Sequence, residues 1–101
     1  MDMFTAIAEP TRRHILEMLA SRGQLSASVI SHKFPVSQPA ISQHLKILRE
    51  AKLVDMEKRA QQRLYRVNPR TMLELERWAE YMKKLWSGRF DRLEEVLKYG
   101  K

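Results

Sequence analysis

Apolar positions recur through most of the chain with a period near 3.6, which predicts a largely helical protein. Pro10 stands where a helix can begin, Ile15, Met18 and Leu19 follow at helical spacing, and Gly23 supplies a stop. The pattern therefore predicts a helix over about 10–21, with a short apolar helix over 2–8 before it. Ser26 can cap a further helix carrying Val29 and Ile30, which must end before Pro35 because the proline ring disfavours helical geometry at Phe34. Ser37 caps the next helix, where Pro39 falls in the first turn and no intrahelical N–H bond is needed. Two short helices thus meet at a tight connection, FPVS.

From Leu53 the period changes. LVDMEKR and RLYRV are near-alternating runs around the polar tip AQQ, which predicts a β-hairpin whose tip lacks the Asn-Gly turn signal. Asn68 and Pro69 occupy cap and first-turn positions of a last helix. Its apolar stripe runs through Leu75, Trp78, Met82, Leu85, Trp86, Phe90, Leu93 and Leu97, with Gly88 a candidate bend. A helix of ~27 residues is about 40 Å long, whereas a compact ~100-residue domain has a radius of gyration of about 13 Å. One domain cannot easily cover such a helix. A second copy can, in an isologous contact using the first apolar segment (Met3, Phe4, Ile7) and the last helix (Leu75, Trp78, Met82, Leu85, Trp86). Trp78 and Trp86 could instead line a ligand pocket between subunits, but aromatic residues at helical spacing more often pack.

Composition narrows the function. With 101 residues, 44% of them hydrophobic, the chain is expected to form one domain, 1–101, with a modest core. The excess of 19 Lys+Arg over 12 Asp+Glu gives a formal charge of +7 and favours an acidic partner, nucleic acid or an anionic membrane. No apolar run approaches the ~20 residues that span a bilayer, and MDMFTAIAEP does not resemble a signal peptide. The expectation is a cytoplasmic protein with no membrane partner. With no cysteine there is neither a disulfide nor a thiolate metal site. An enzyme is not expected: there is no Gly-rich phosphate loop among three glycines and no acid or serine constellation around the three histidines. No catalytic residue, cofactor or metal site is assigned.

The charge excess is local. From Lys46 to Arg70 there are eight basic and three acidic residues, and Lys58, Arg59, Arg63, Arg66 and Arg70 have no acid among them. Just before lies SQPAISQHLKILREAKLV, in which Ile41, Leu45 and Leu48 align on one side of a helix while Pro39, Ser42, Gln43, Lys46 and Glu50 gather on the other. Such a polar side is commonly only solvated. Here it opens with Ser37, Gln38, Ser42 and Gln43, hydroxyls and amides that can bond phosphates and base edges, instead of a Glu/Lys mixture. A polar-faced helix preceded by a helix and tight turn, and followed by a basic hairpin, can place the helix in a major groove and the hairpin along flanking phosphates. The alternative is a winged-helix interaction module binding an acidic protein partner.

SQPAISQHLKILREAKLV resembles the recognition helix of ArsR/SmtB winged helix-turn-helix repressors, AEPTRRHILEMLA resembles a segment near their N-terminus, and QQRLYRVNP looks like their wing. The resemblance covers almost the whole chain. It implies a mainly α fold with a small β-hairpin, α-α-α-α-β-β-α, with the helix-turn-helix at about 26–50, the wing at about 53–68 and a C-terminal dimerisation helix at about 70–98. It also implies a homodimeric, sequence-specific repressor or autorepressor of a palindromic operator in double-stranded DNA. Ser37, Gln38, Ser42, Gln43 and Lys46 match the family's groove-facing positions, and Arg59 and Arg63 its wing.

Three departures bear on what such a protein would sense. Metal sensors of the family often carry ELCVCDL where this chain reads QLSASVI, so Ser26 and Ser28 replace the two cysteines. The last helix has no histidine for the family's second metal site. Lys52 stands where an AGLV turn usually has glycine, which places it at a helix-ending position of positive φ, and the wing tip also lacks glycine. An unknown small-molecule effector and an unregulated autorepressor are equally compatible with the chain. His14 and Glu17 lie one turn apart but lack the third and fourth ligands a metal requires, and His32 stands alone. His44 borders an apolar helix face, where packing or a phosphate contact is the simpler role. Asp91, Glu94 and Glu95 could hold a hard cation, although Arg89 and Arg92 among them fit a solvated face better.

Overall fold

The computed structural model describes the backbone of residues 1–98 and the side chains as far as residue 88. The elements are α1 (Met3–Ala8), α2 (Pro10–Arg22), β1 (Leu25–Ser26), α3 (Ala27–His32), α4 (Gln38–Glu50), β2 (Val54–Arg59), β3 (Gln62–Val67) and α5 (Pro69–Lys98). The winged helix-turn-helix architecture expected from the sequence is present, with one addition. Residues Leu25 and Ser26 pair antiparallel with Tyr65 and Leu64, so the hairpin becomes a three-stranded sheet in the order β1-β3-β2. Two residues are too few to show an alternating pattern, and only the approach of β3 makes them a strand.

Helix starts follow local capping chemistry. Asp2 accepts the Thr5 N–H at 2.7 Å and Glu9 accepts those of Thr11 and Arg12 at 3.1 and 3.0 Å. Ser26 and Ser37 accept the N–H groups of Val29 and Ala40 at 3.2 and 3.3 Å. Ser26, at one of the family's cysteine positions, is therefore committed to starting α3. Pro10 and Pro39 sit in the first turns of α2 and α4.

The core gathers Ala6, Ile15, Leu16, Leu19, Ile30, Ile41, Leu45, Leu48, Leu53, Val54 and Tyr65. Helices α1 to α4 and strands β2 and β3 each contribute buried residues, and those of α4 are Ile41, Leu45 and Leu48, all essentially inaccessible. Burying a side chain of this size is worth about 1.5–3 kcal/mol.

The end of α4 is closed by a Schellman motif: Lys52 N–H donates to the Arg49 carbonyl and Leu53 N–H to that of Leu48, each at 3.0 Å. Lys52 has φ 63°, the positive value expected at this position although the residue is not glycine. Leu53 also accepts the Asn68 N–H at 2.9 Å, and Thr71, buried at the start of α5, donates its hydroxyl to the Lys52 carbonyl. The end of α4, the start of the wing and the start of α5 are thus fastened at one joint.

Helix α5 has no break at Gly88. The molecule measures 67 × 26 × 24 Å with a radius of gyration of 18.8 Å, well above the about 13 Å of a compact domain of this size. The long helix projects from the body. Phe90, Leu93 and Leu97 of its apolar stripe, and the cluster of Asp91, Glu94 and Glu95 with Arg89 and Arg92, fall outside the described side chains.

Candidate nucleic-acid interface

Because α4 buries Ile41, Leu45 and Leu48, its other side is turned outward, and Gln38, Ser42, Gln43 and Lys46 are all exposed there. Among the described residues, none of these four side chains has a hydrogen-bond or ion-pair partner within the protein. Ser37 uses its oxygen to cap the helix and keeps its hydroxyl proton to donate. The connection before it, residues 33–37, holds α3 against the start of α4 through half-buried Phe34.

The wing has two chemically different faces, set by its register. Val54 pairs with Val67, Met56 with Tyr65 and Lys58 with Arg63; the alternate rungs are Asp55 with Arg66, Glu57 with Leu64 and Arg59 with Gln62. Directly opposed residues share a face, so the core-side face runs outward from buried Val54 and Tyr65 to two exposed cations, Lys58 and Arg63. Like charges so placed repel, and neither has an acidic partner among the described residues. On the other face Arg59 is held by Glu57, its Nε and Nη2 donating to Oε2 at 3.0 and 2.6 Å, and Arg66 lies 4.0 Å from Asp55.

Of the two wing residues expected to meet DNA, Arg63 is therefore free and Arg59 is internally paired. Lys58, which the sequence marks as one of the basic residues of the hairpin but not as a match to the family's wing contacts, has the freer charge. The signal that would have found it is the two-residue tip, which fixes the rung opposite Arg63.

At the wing base, an open groove of about 550 Å³ is lined by Asp55, Arg66, Asn68 and Arg70. Asn68 donates to Asp55 at 3.3 Å and accepts the Arg70 N–H at 2.9 Å, so one amide ties the wing to α5.

Other cations serve the fold. Arg12 and Arg13 together bind the last four carbonyls of α1, those of Thr5, Ala6, Ile7 and Ala8, at 2.6 to 3.5 Å. Desolvation opposes ionisation of Glu9, but the N–H groups of Thr11 and Arg12 outweigh it and hold the carboxyl below its ordinary value. Asp2 is also lowered, chiefly by the Thr5 N–H.

The residues expected at a dimer contact divide into two groups. Met3, Ile7 and Leu75 pack partly against their own core. Phe4, Trp78, Met82, Leu85 and Trp86 are exposed, with Trp78 at 48% and Trp86 at 59%. Phe4 and Trp78 meet edge to face with ring centroids 4.9 Å apart, joining α1 to α5. His14 and Glu17 both face outward on α2, and His32 bonds the Ser28 carbonyl through Nδ1 at 2.7 Å. Among the described residues no helix is long and apolar enough to cross a membrane.

Comparison with known proteins agrees with this geometry. The profile of the helix-turn-helix domain family matches residues 7–57. The chain is 35% identical over 77 residues to the transcriptional repressor SdpR of Bacillus subtilis, covering 76% of this chain and 84% of that protein. It is 33% identical over 82 residues to the arsenic resistance transcriptional regulator ArsR1 of Pseudomonas putida, covering 81% of this chain and 61% of that protein. Among solved structures, an ArsR-like transcriptional regulator from Rhodococcus sp. RHA1 superposes with a TM-score of 0.76 at 30% identity, covering 92% of this chain and 87% of that one. The relatives are transcription regulators, which favours DNA over an acidic protein as the chain's partner. The chain belongs to the ArsR family of winged helix-turn-helix proteins and is a DNA-binding transcriptional regulator.

Proposed function

We propose that the protein is a homodimeric repressor of a palindromic operator, in which each α4 enters a major groove and each wing follows the adjoining phosphates. The observation that carries this reading is the side of α4 bearing Gln38, Ser42, Gln43 and Lys46, exposed and without a partner in the protein. Glutamine amides can pair with adenine edges, lysine can reach guanine or a phosphate, and serine hydroxyls serve either. Ser37, at the tip of the helix, can donate its hydroxyl proton to a phosphate.

Lys58 and Arg63, opposed on the wing, supply positive charge where a phosphate would relieve their repulsion. Arg59 gives Nε and Nη2 to Glu57, so it can meet a phosphate through Nη1, or through the whole guanidinium once it leaves this solvent-exposed pair at little cost. The second copy docks on the stripe of Trp78, Met82, Leu85 and Trp86 together with Phe4, the exposed apolar surface that a monomer leaves uncovered. Repression is the activity that the name of the related SdpR carries.

The test is selection from a random duplex pool with the purified protein, followed by titration at several salt concentrations. A palindrome with half-sites about 10 base pairs apart, or a multiple, is expected. Gln43→Ala should lower operator affinity by about 1–3 kcal/mol and leave random-duplex binding nearly unchanged. Lys58→Ala and Arg63→Ala should weaken both alike and each reduce the salt slope by roughly one counterion. A pool that yields no preferred sequence, or Gln43→Ala weakening operator and random duplex equally, would refute the assignment of α4.

A further inference from the structure

We infer that Arg12 and His44 form a positioning contact that seats α4 for reading DNA, so that sequence discrimination depends on two residues away from the exposed polar side. The inference rests on the proposal that α4 reads bases. Arg12 belongs to α2 but is 8% exposed, enclosed by the core, and its guanidinium touches two other helices. Nε donates to the Ala6 carbonyl at 2.6 Å and Nη2 lies 3.5 Å from the Thr5 carbonyl, both at the end of α1. Nη1 lies 3.4 Å from Nδ1 of His44, on the half-buried border of α4. A guanidinium has five donors and no acceptor, so this contact requires Nδ1 to accept, with the imidazole proton on Nε2. The same Nδ1 is 3.6 Å from Oε2 of Glu9, the carboxylate that caps α2.

Three helices therefore converge on one guanidinium: α2 carries it, α1 supplies two carbonyls and α4 the imidazole nitrogen. The guanidinium is planar and rigid, and being enclosed it loses charge-assisted hydrogen bonds if either α1 or α4 shifts. Its carbonyl partners lie in the helix whose Phe4 packs on Trp78 of α5. A continuous chain of contacts thus runs from the exposed stripe of α5, through Phe4, the end of α1 and Arg12, to His44. His44 is next to Gln43, so the seat of the imidazole sets where the neighbouring amide is presented. The contact also holds α4 at a fixed disposition to α1, and in a dimer formed through α1 and α5 this determines the separation of the two reading helices.

The experiment uses the full chain and an operator obtained by duplex selection, with His44→Leu, His44→Asn, Arg12→Lys and Gln43→Ala as variants. The readouts are the ratio of operator to random-duplex affinity, tolerance of one inserted base pair between half-sites, the salt slope and the denaturant midpoint. His44→Leu is expected to lower the ratio roughly two- to thirty-fold and to tolerate the insertion better, with random-duplex binding and salt slope at wild-type values. His44→Asn, whose amide oxygen can occupy the place of Nδ1, should recover most of the ratio. Arg12→Lys keeps the charge, but one ammonium cannot serve both the α1 carbonyls and His44, so it should show the same loss.

A folded His44→Leu with wild-type discrimination overturns the inference. So does one that weakens operator and random duplex alike with a smaller salt slope, because His44 would then be a phosphate contact. If His44→Leu does not fold, Arg12→Lys decides by the same ratio. Gln43→Ala separates the two levels: if it leaves discrimination intact, the reading role of α4 fails, whereas if it alone loses discrimination, only the positioning role fails.

Discussion

Helices α4 and α5 are both amphipathic, yet they resolve their apolar stripes in opposite ways. Ile41, Leu45 and Leu48 of α4 vanish into the core, whereas Trp78, Met82, Leu85 and Trp86 of α5 remain open. The reason is length and placement. Helix α4, with 13 residues, lies between α3 and the wing base, but α5, with 30, extends beyond the body after Leu75. Periodicity reveals that a face needs covering; it does not reveal which molecule covers it. The buried stripe leaves the opposite side of α4 exposed, the side proposed to read DNA, and the exposed stripe of α5 is where the proposed second copy would dock.

The sharpest test of this contrast is a pair of substitutions. Leu45→Ala should cost about 2–5 kcal/mol of folding stability, read from the denaturant midpoint, because it opens a cavity in the core. Leu85→Arg should leave folding of the single chain nearly intact but weaken self-association by about 2 kcal/mol or more, close to thirty-fold, in sedimentation equilibrium. Equal effects of the two on unfolding of the monomer would erase the distinction between the stripes.

A smaller effect concerns how firmly α4 is ended. Lys52 adopts a positive φ in a Schellman motif, so Lys52→Gly should be neutral or stabilising by up to about 1 kcal/mol in chemical denaturation. A clear loss would show that the lysine side chain is needed at that joint. The smallest effect is at Glu9. Its folded-state pKa lies below the ordinary 4.5, so its contribution is complete above that value and disappears as pH falls through the lowered folded value. Glu9→Gln should therefore flatten the acid side of the stability profile, and an unchanged profile in acid titration of unfolding would remove that contribution from the anchoring of α2 beside α4.

Much of the fold is legible in the chain because its helices carry long, regular stripes and chemically explicit caps. Asp2 was not foreseen as a cap, but Ser26, Ser37 and Asn68 start helices where their side chains predict. The positive φ of Lys52 could be anticipated from its place in the turn; that of Ala60, at 56°, could not, since neither glycine nor asparagine marks the wing tip. Candidate reading residues on α4 were legible because helical spacing alone sorts them from the core. Wing chemistry was less so. Which cation neutralises which acid depends on strand register, a relation between segments: Arg59 turns to Glu57 on its own strand while Lys58 faces Arg63 across the hairpin. Arg12 and Arg13 likewise read as part of a basic excess until their carbonyl partners in α1 are known.

The opposition of Lys58 and Arg63 gives one pair of side chains two contrary responses to ionic strength. In the free protein, added salt shortens the Debye length, to about 8 Å at 0.15 M, and screens the repulsion across the outer rung, so the hairpin end tightens. On a duplex, the same salt weakens whatever phosphate contacts these cations make, since a counterion released into a more concentrated solution gains less entropy. If the wing follows phosphates as proposed, polyanion and electrolyte are in this sense interchangeable companions for it, one replacing the other each time the protein leaves a duplex.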